Sequence, residues 1–145
     1  MKSALLIGIG NTLRGDDGVG IRVAERARAR FPHLTVLCVQ GLSPELADTV
    51  APYDLLLIVD ASIATTTLRV SEVTPAASGE RIQSHTMSPA GILGLAATLY
   101  NRVPSLSVLI EVPAVACDFS EVLSPRAAGQ VEACLDVVGS YLARP

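Results

Sequence analysis

Leu55-Leu56-Leu57-Ile58-Val59 is an unbroken aliphatic run that stops at Asp60. A run without alternation leaves no face for water. It therefore reads as a strand buried on both sides, the situation in a parallel sheet covered by helices. Ala4 to Ile9 has the same character, and Thr35 to Val39 and Leu106 to Val112 supply two more strands. Leu68 to Val73 alternates, which predicts an edge strand with one wet face.

Helical patterns fill the gaps. Asp17 to Phe31 places Val19, Val23, Ala24, Ala27 and Phe31 on one face, with the arginines mostly elsewhere. Three later helices are expected to open with Ser-Pro, at Ser43-Pro44, Ser88-Pro89 and Ser124-Pro125. Serine can cap the free N–H groups of a first turn, and proline at the first helical position loses no hydrogen bond. In the last helix Ala128, Val131, Leu135, Val138 and Leu142 recur at helical spacing. The expected order is β-α-β-α-β-β-α-β-α, an α/β fold with a mostly parallel sheet and helices on both faces.

The chain is 145 residues long, enough for one domain spanning 1–145 with a substantial core. Half the residues are hydrophobic but only 3% aromatic, so that core must be built from Leu, Val, Ile and Ala. A net charge of −3 offers no concentrated basic surface, which argues against a nucleic-acid partner. Arg22, Arg26, Arg28 and Arg30 read as a solvated helix face. Cys38, Cys117 and Cys134 are widely spaced and contain no CxxC pair, so neither a disulfide framework nor a cysteine zinc site is expected. The uncharged stretch from Ile82 to Asn101 is interrupted by Gln83, Ser84, His85 and Pro89 and is too polar to span a bilayer. Met1-Lys2-Ser3 runs straight into a strand. A cytoplasmic protein with no membrane partner is the expectation.

In open α/β sheets, sites form outside the carboxyl ends of the strands. The segment from Gly8 to Gly20 occupies such a position after the first strand. It has Gly8 and Gly10, but Leu13 stands where a dinucleotide fingerprint needs its third glycine. Asp16 and Asp17 would repel a phosphate there, so no nucleotide or other organic cofactor is expected. One of these aspartates serves as a helix cap, and the other is free for chemistry. Asp60 follows the most buried strand, where a charge is costly unless paired or coordinating. His85 lies in a loop just before the Ser88-Pro89 helix start, whereas His33 closes the first helix near its negative end. Asp17, Asp60 and His85 together make two oxygen donors and one nitrogen. Three protein donors with an open position describe a catalytic metal site, suited to nickel, zinc or iron. There is no GxSxG elbow, Cys38 reads as a core residue, and Glu111 is at most an outer participant.

These residues carry a resemblance. Gly8-x-Gly10-Asn11-x-Leu13-x-x-Asp16-Asp17-Gly18-x-Gly20 resembles the signature of the hydrogenase maturation proteases. Ile58-Val59-Asp60-Ala61, Ser84-His85-x-x-Ser88-Pro89 and Leu123-Ser124-Pro125 match in the same order along nearly the whole chain. The resemblance implies a three-layer αβα sandwich with a twisted five-stranded sheet. It implies an endopeptidase, aspartic-type by family convention, that removes the C-terminal extension of an immature [NiFe] hydrogenase large subunit after nickel insertion. The partner would be that precursor, and the nickel would come with it. The metal donors fall on Asp17, Asp60 and His85, with Asp16 or a metal-bound carboxylate as general base. Two features depart from the pattern. Gln40 stands in Gln40-Gly41-Leu42-Ser43 where many members carry an acid, and the loop from Ala114 to Val122 diverges. The alternative function is a nickel-sensing chaperone or binding module that docks the large subunit without cutting it.

Overall fold

The computed structural model describes residues 2–77 and 87–145. The elements run β1 (Ala4–Ile9), a 3-10 turn (Gly15–Gly18), α1 (Val19–Arg30), β2 (Thr35–Val39), α2 (Leu46–Val50), β3 (Leu55–Ser62), β4 (Arg69–Glu72), α3 (Pro89–Tyr100), β5 (Leu106–Pro113) and α4 (Pro125–Leu142). The described strands form one sheet in the order β2-β1-β3-β5-β4. All neighbours are parallel except β4, which pairs antiparallel with β5 at the edge. This is the α/β architecture expected from the sequence, alternating edge strand included.

Side chains of successive strand residues point to opposite faces, and they divide the core in two. Leu6, Leu57, Val59, Val108 and Ile110 pack with Val19, Val23 and Ala27 of α1 and Val131, Leu135 and Val138 of α4. Leu5, Ile7, Leu56 and Ile58 pack with Leu46, Ala47 and Val50 of α2 and Ile92, Leu93 and Ala96 of α3. The sheet is thus a middle layer with two helices on each side. Full burial of β1 and of residues 55–59 in β3 explains their unbroken apolar runs.

Two of the three Ser-Pro signals start helices as expected. The Ser88 hydroxyl accepts from Gly91 N at 3.0 Å and the Ser124 hydroxyl from Ala127 N at 3.2 Å, each with proline at the helix start. The third differs. Ser43-Pro44 forms only turns, its carbonyls accepting from Leu46 N and Ala47 N, and α2 begins after Glu45 without a side-chain cap. A helix of one turn and a half buries too little to need more. The helix expected from Asp17 also splits: residues 15–18 wind as the tighter 3-10 turn and the α-helix begins at Val19.

Gly20 explains how that turn sits so deep. A Cβ at Gly20 would collide with the carbonyl oxygens of Ile9 and Val59. Only glycine lets the first turn of α1 rest on the backbones of β1 and β3, and this brings residues 16 and 17 to the carboxyl end of the sheet.

Candidate active site

Gly10 leaves β1 with φ +152°, and its Cα lies against the Asp17 carbonyl so closely that no side chain fits. The chain then folds back through Asn11. Arg14 N donates to Asn11 O at 3.0 Å and Asp17 N to Arg14 O at 3.1 Å. Asn11 N in turn donates to Asp17 Oδ2 at 3.0 Å, and Asn11 Oδ1 accepts from Leu13 N at 2.9 Å. Asp17 is therefore held by the loop's own backbone, half-buried, with one carboxylate oxygen left for other partners.

Asp60 does not follow β3, as the aliphatic run implied, but sits inside it, since β3 continues to Ser62. In the parallel pairing Asp60 is opposite Glu111 of β5, and both side chains project toward the α2/α3 layer. Asp17, Asp60 and Glu111 line one cavity of about 450 Å³, together with Gln40 and, at the start of α3, Met87 and Pro89. Met87 N donates to Leu42 O at 2.8 Å, which ties the approach to α3 to the loop after β2. The cavity lies where strand-end loops converge, as the α/β rule requires.

The electrostatics are those of a carboxylate buried among like charges. Burial raises the Asp60 carboxyl most. The hydrogen bond that Ala61 N donates to Asp60 Oδ1 lowers it, and the charges of Asp17 and Glu111 raise it again, to about 6. Arg69 offers little relief, because its Nε stands 3.9 Å from Glu111 Oε1 and is largely exposed. The Cys117 thiol is raised too, first by burial and then by Asp17 and Asp16, so it stays protonated rather than acting as a thiolate.

His85 lies outside the described residues. Among the described residues no group of three His, Cys, Asp or Glu side chains is placed to hold a metal ion. Asp17 and Asp60 supply two oxygen donors to one cavity. A cation between them would offset both the burial and the like charges that raise Asp60, so the donor chemistry fits a divalent ion completed by a further ligand.

Asp16 has a different place from the one the sequence allowed. It is fully buried and does not line the cavity. It accepts from Val115 N at 2.7 Å, Ala116 N at 3.1 Å, Ser124 N at 2.7 Å and the Ser124 hydroxyl at 2.7 Å. Burial pushes its carboxyl up, but these bonds outweigh burial and leave it below the ordinary range. A buried carboxylate whose two oxygens are both engaged away from the cavity is a tether, not a general base. It pins the β5–α4 loop and the α4 cap to the 3-10 turn. Two aspartates in a row looked like one cap and one ligand; Asp16 in fact binds a distant loop, which no local spacing shows.

Glu111 and Gln40 are more central than the sequence indicated. The signal for Glu111 was available: a lone carboxylate in an aliphatic strand, at the same depth from the strand end as Asp60.

No family model matches the chain, and no curated protein matches it in sequence. Solved structures do match. A hydrogenase maturating endopeptidase, HybD, from E. coli superposes with a TM-score of 0.77 at 22% identity, covering 97% of this chain and 91% of that one. The [NiFe] hydrogenase maturation protease HycI from Thermococcus kodakarensis KOD1 gives 0.72 at 21% identity, covering 99% and 94%. A hydrogenase 2 maturation peptidase from Thaumarchaeota archaeon SCGC_AB-539-E09 gives 0.69 at 22% identity, covering 98% and 99%. Over nearly its whole length, this chain has the fold of the hydrogenase maturation proteases.

Proposed function

We propose that the protein is an endopeptidase that removes the C-terminal extension of an immature [NiFe] hydrogenase large subunit, with Asp17, Asp60 and His85 reading the nickel that the precursor brings. The observation that carries this reading is the meeting of Asp17 and Asp60 in one cavity at the sheet's carboxyl end, where burial first and then the charge of Asp17 raise the Asp60 carboxyl. The fold supports it, because the structural relatives are maturation endopeptidases by name. Among the described residues no helix is long and apolar enough to cross a membrane, which is compatible with a cytoplasmic site of action.

The chain's residues divide the work. Asp17, fixed by Asn11 N, presents one free oxygen. Asp60 presents the second oxygen donor; its carboxyl is raised to about 6, first by burial, only while no cation sits beside it. A carboxylate oxygen of Asp60 not engaged by the metal would take the proton from a water attacking the scissile carbonyl. The precursor's nickel, held between them, would fix the register of the extension and favour charge build-up on that carbonyl. Leu42, Met87 and Leu109 form the apolar part of the cavity wall on the α2/α3 side.

The test is direct. Nickel-loaded precursor is mixed with the protein and its mass followed. The wild type should shorten it, while Asp17→Asn and His85→Ala, made separately, should leave it intact. Normal processing by either variant refutes the assignment. A nickel-sensing chaperone shares the site, and it would bind the precursor without changing its mass.

A further inference from the structure

The four most exposed large apolar side chains of the described residues are Phe119, Ile63, Val122 and Val115, at 87, 85, 74 and 61%. All lie on the loops that follow β3 and β5, at the same end of the sheet as the cavity. Leu13, at 46%, stands beside them on the loop after β1. Backbone bonds stitch these loops into one rim. Ala114 N donates to Ser62 O at 2.9 Å, Ser120 N to Leu13 O at 2.9 Å, and Gly15 N to Ser120 O at 2.7 Å. Asp16 fastens the same loop from beneath through Val115, Ala116 and Ser124, and its chain neighbour is Asp17.

The largest exposed apolar patch on a monomer is often a binding site. Together the side chains offer a few hundred Å², well under the roughly 800 Å² per partner of a stable interface. That area does not sustain a lasting dimer of this chain, but it fits a transient encounter with a partner that is released after reaction. The rim is also contiguous with the turn that carries Asp17, so a partner seated on it has a segment within reach of the cavity.

We propose that Leu13, Ile63, Val115, Phe119 and Val122 form the docking surface for the protein substrate, a partner presenting an apolar face beside its scissile segment. This rests on the protease reading above. The Asp16 tether makes the rim rigid with respect to Asp17, so docking and alignment of the scissile bond are one event.

The experiment compares wild type, Phe119→Ser with Val122→Ser, and Leu99→Ser as an exposed apolar control on α3, using nickel-loaded precursor. The double variant should raise KM at least tenfold, leave kcat within twofold and melt at the wild-type temperature, because the replaced side chains are exposed. Leu99→Ser should change neither constant. A KM within twofold of wild type for the double variant overturns the proposal. So does sedimentation showing a wild-type dimer that the double variant dissolves, since the rim would then be a self-interface. If wild type never shortens the precursor, the protease reading falls by itself. Docking is then read from precursor binding: loss in the double variant supports it, and equal binding by both, or none by wild type, overturns it.

Discussion

Asp60 on β3 and Glu111 on β5 are register partners in a parallel pair, so two carboxylates stand side by side where the sheet meets the cavity. With Asp17 facing them, the site concentrates negative charge in partly buried surroundings. Such a cluster costs stability, and a fold retains it only where the charge is used.

Asp60→Asn should therefore stabilise the metal-free protein, and only above mildly acidic pH. The folded-state pKa of Asp60 is about 6, against 3.8 for an aspartate free of such surroundings. Below both values the carboxyl is protonated in either state and costs nothing. Between them the unfolded chain has lost its proton while the native state holds it, so stability falls as pH rises. Above about pH 6 the full deficit remains, of order 2 to 3 kcal/mol. Urea unfolding of the metal-free protein at pH 3 and pH 8 checks this. The variant should match wild type at pH 3 and exceed it at pH 8; equal stability at pH 8 would remove the strained-site account.

Asp16 should behave in the opposite sense. Its folded-state pKa is depressed, so its contribution is present above the unfolded value and lost as pH falls through the folded one. Asp16→Asn turns an amide toward backbone N–H groups that need an acceptor, at a cost of about 2 to 4 kcal/mol. Hydrogen exchange should rise selectively across residues 114–124, which the carboxylate holds. Unchanged exchange in that loop would show that the tether is dispensable.

The fold was legible because burial writes directly into hydrophobic pattern. Leu55 to Val59 has no polar residue because helices cover both its faces, and Leu68 to Val73 alternates because β4 is an edge. The weak point was α2, where Ser43-Pro44 carried a start signal but the chain turned before a helix formed. At the site, Asp17 and Asp60 were legible as charges at strand ends. The tether of Asp16 was not, because its partners are about a hundred residues away and all but the Ser124 hydroxyl are backbone groups, which leave no mark on composition. The cavity position of Gln40 depended in the same way on how the β2 loop meets α3.

Two glycines give a paired test of the packing. Gly20→Ala forces a methyl into the carbonyls of Ile9 and Val59, and the first turn of α1 must lift from the sheet. A loss of about 2 to 4 kcal/mol is expected, with the Asp17 turn displaced. A methyl added at Gly129 of α4 would meet nothing within 4 Å. Gly129→Ala should instead gain about 0.5 to 1 kcal/mol from helix propensity alone. Thermal melts of the two variants should move in opposite directions; a shared direction contradicts the close approach.

Gln40 is the uncharged polar side chain of the cavity wall, lining the space shared by Asp17, Asp60 and Glu111. An amide can accept a hydrogen bond from a substrate and donate one, but it adds no charge to hold a cation. Gln40→Asp should bring a further negative charge to the same space. At an effective dielectric constant near 20, charges within about 8 Å interact by roughly 2 kcal/mol, less where water enters. A divalent ion should then bind several-fold to tenfold more tightly, as nickel titration calorimetry in metal-free buffer would show. The same change should destabilise the ion-free protein at neutral pH, because a like charge raises the carboxyls already crowded there. Tighter nickel binding with lower ion-free stability is the expected pair. Unchanged nickel affinity would mean that position 40 does not face the ion, and the ligand set would then rest on Asp17, Asp60 and His85 alone.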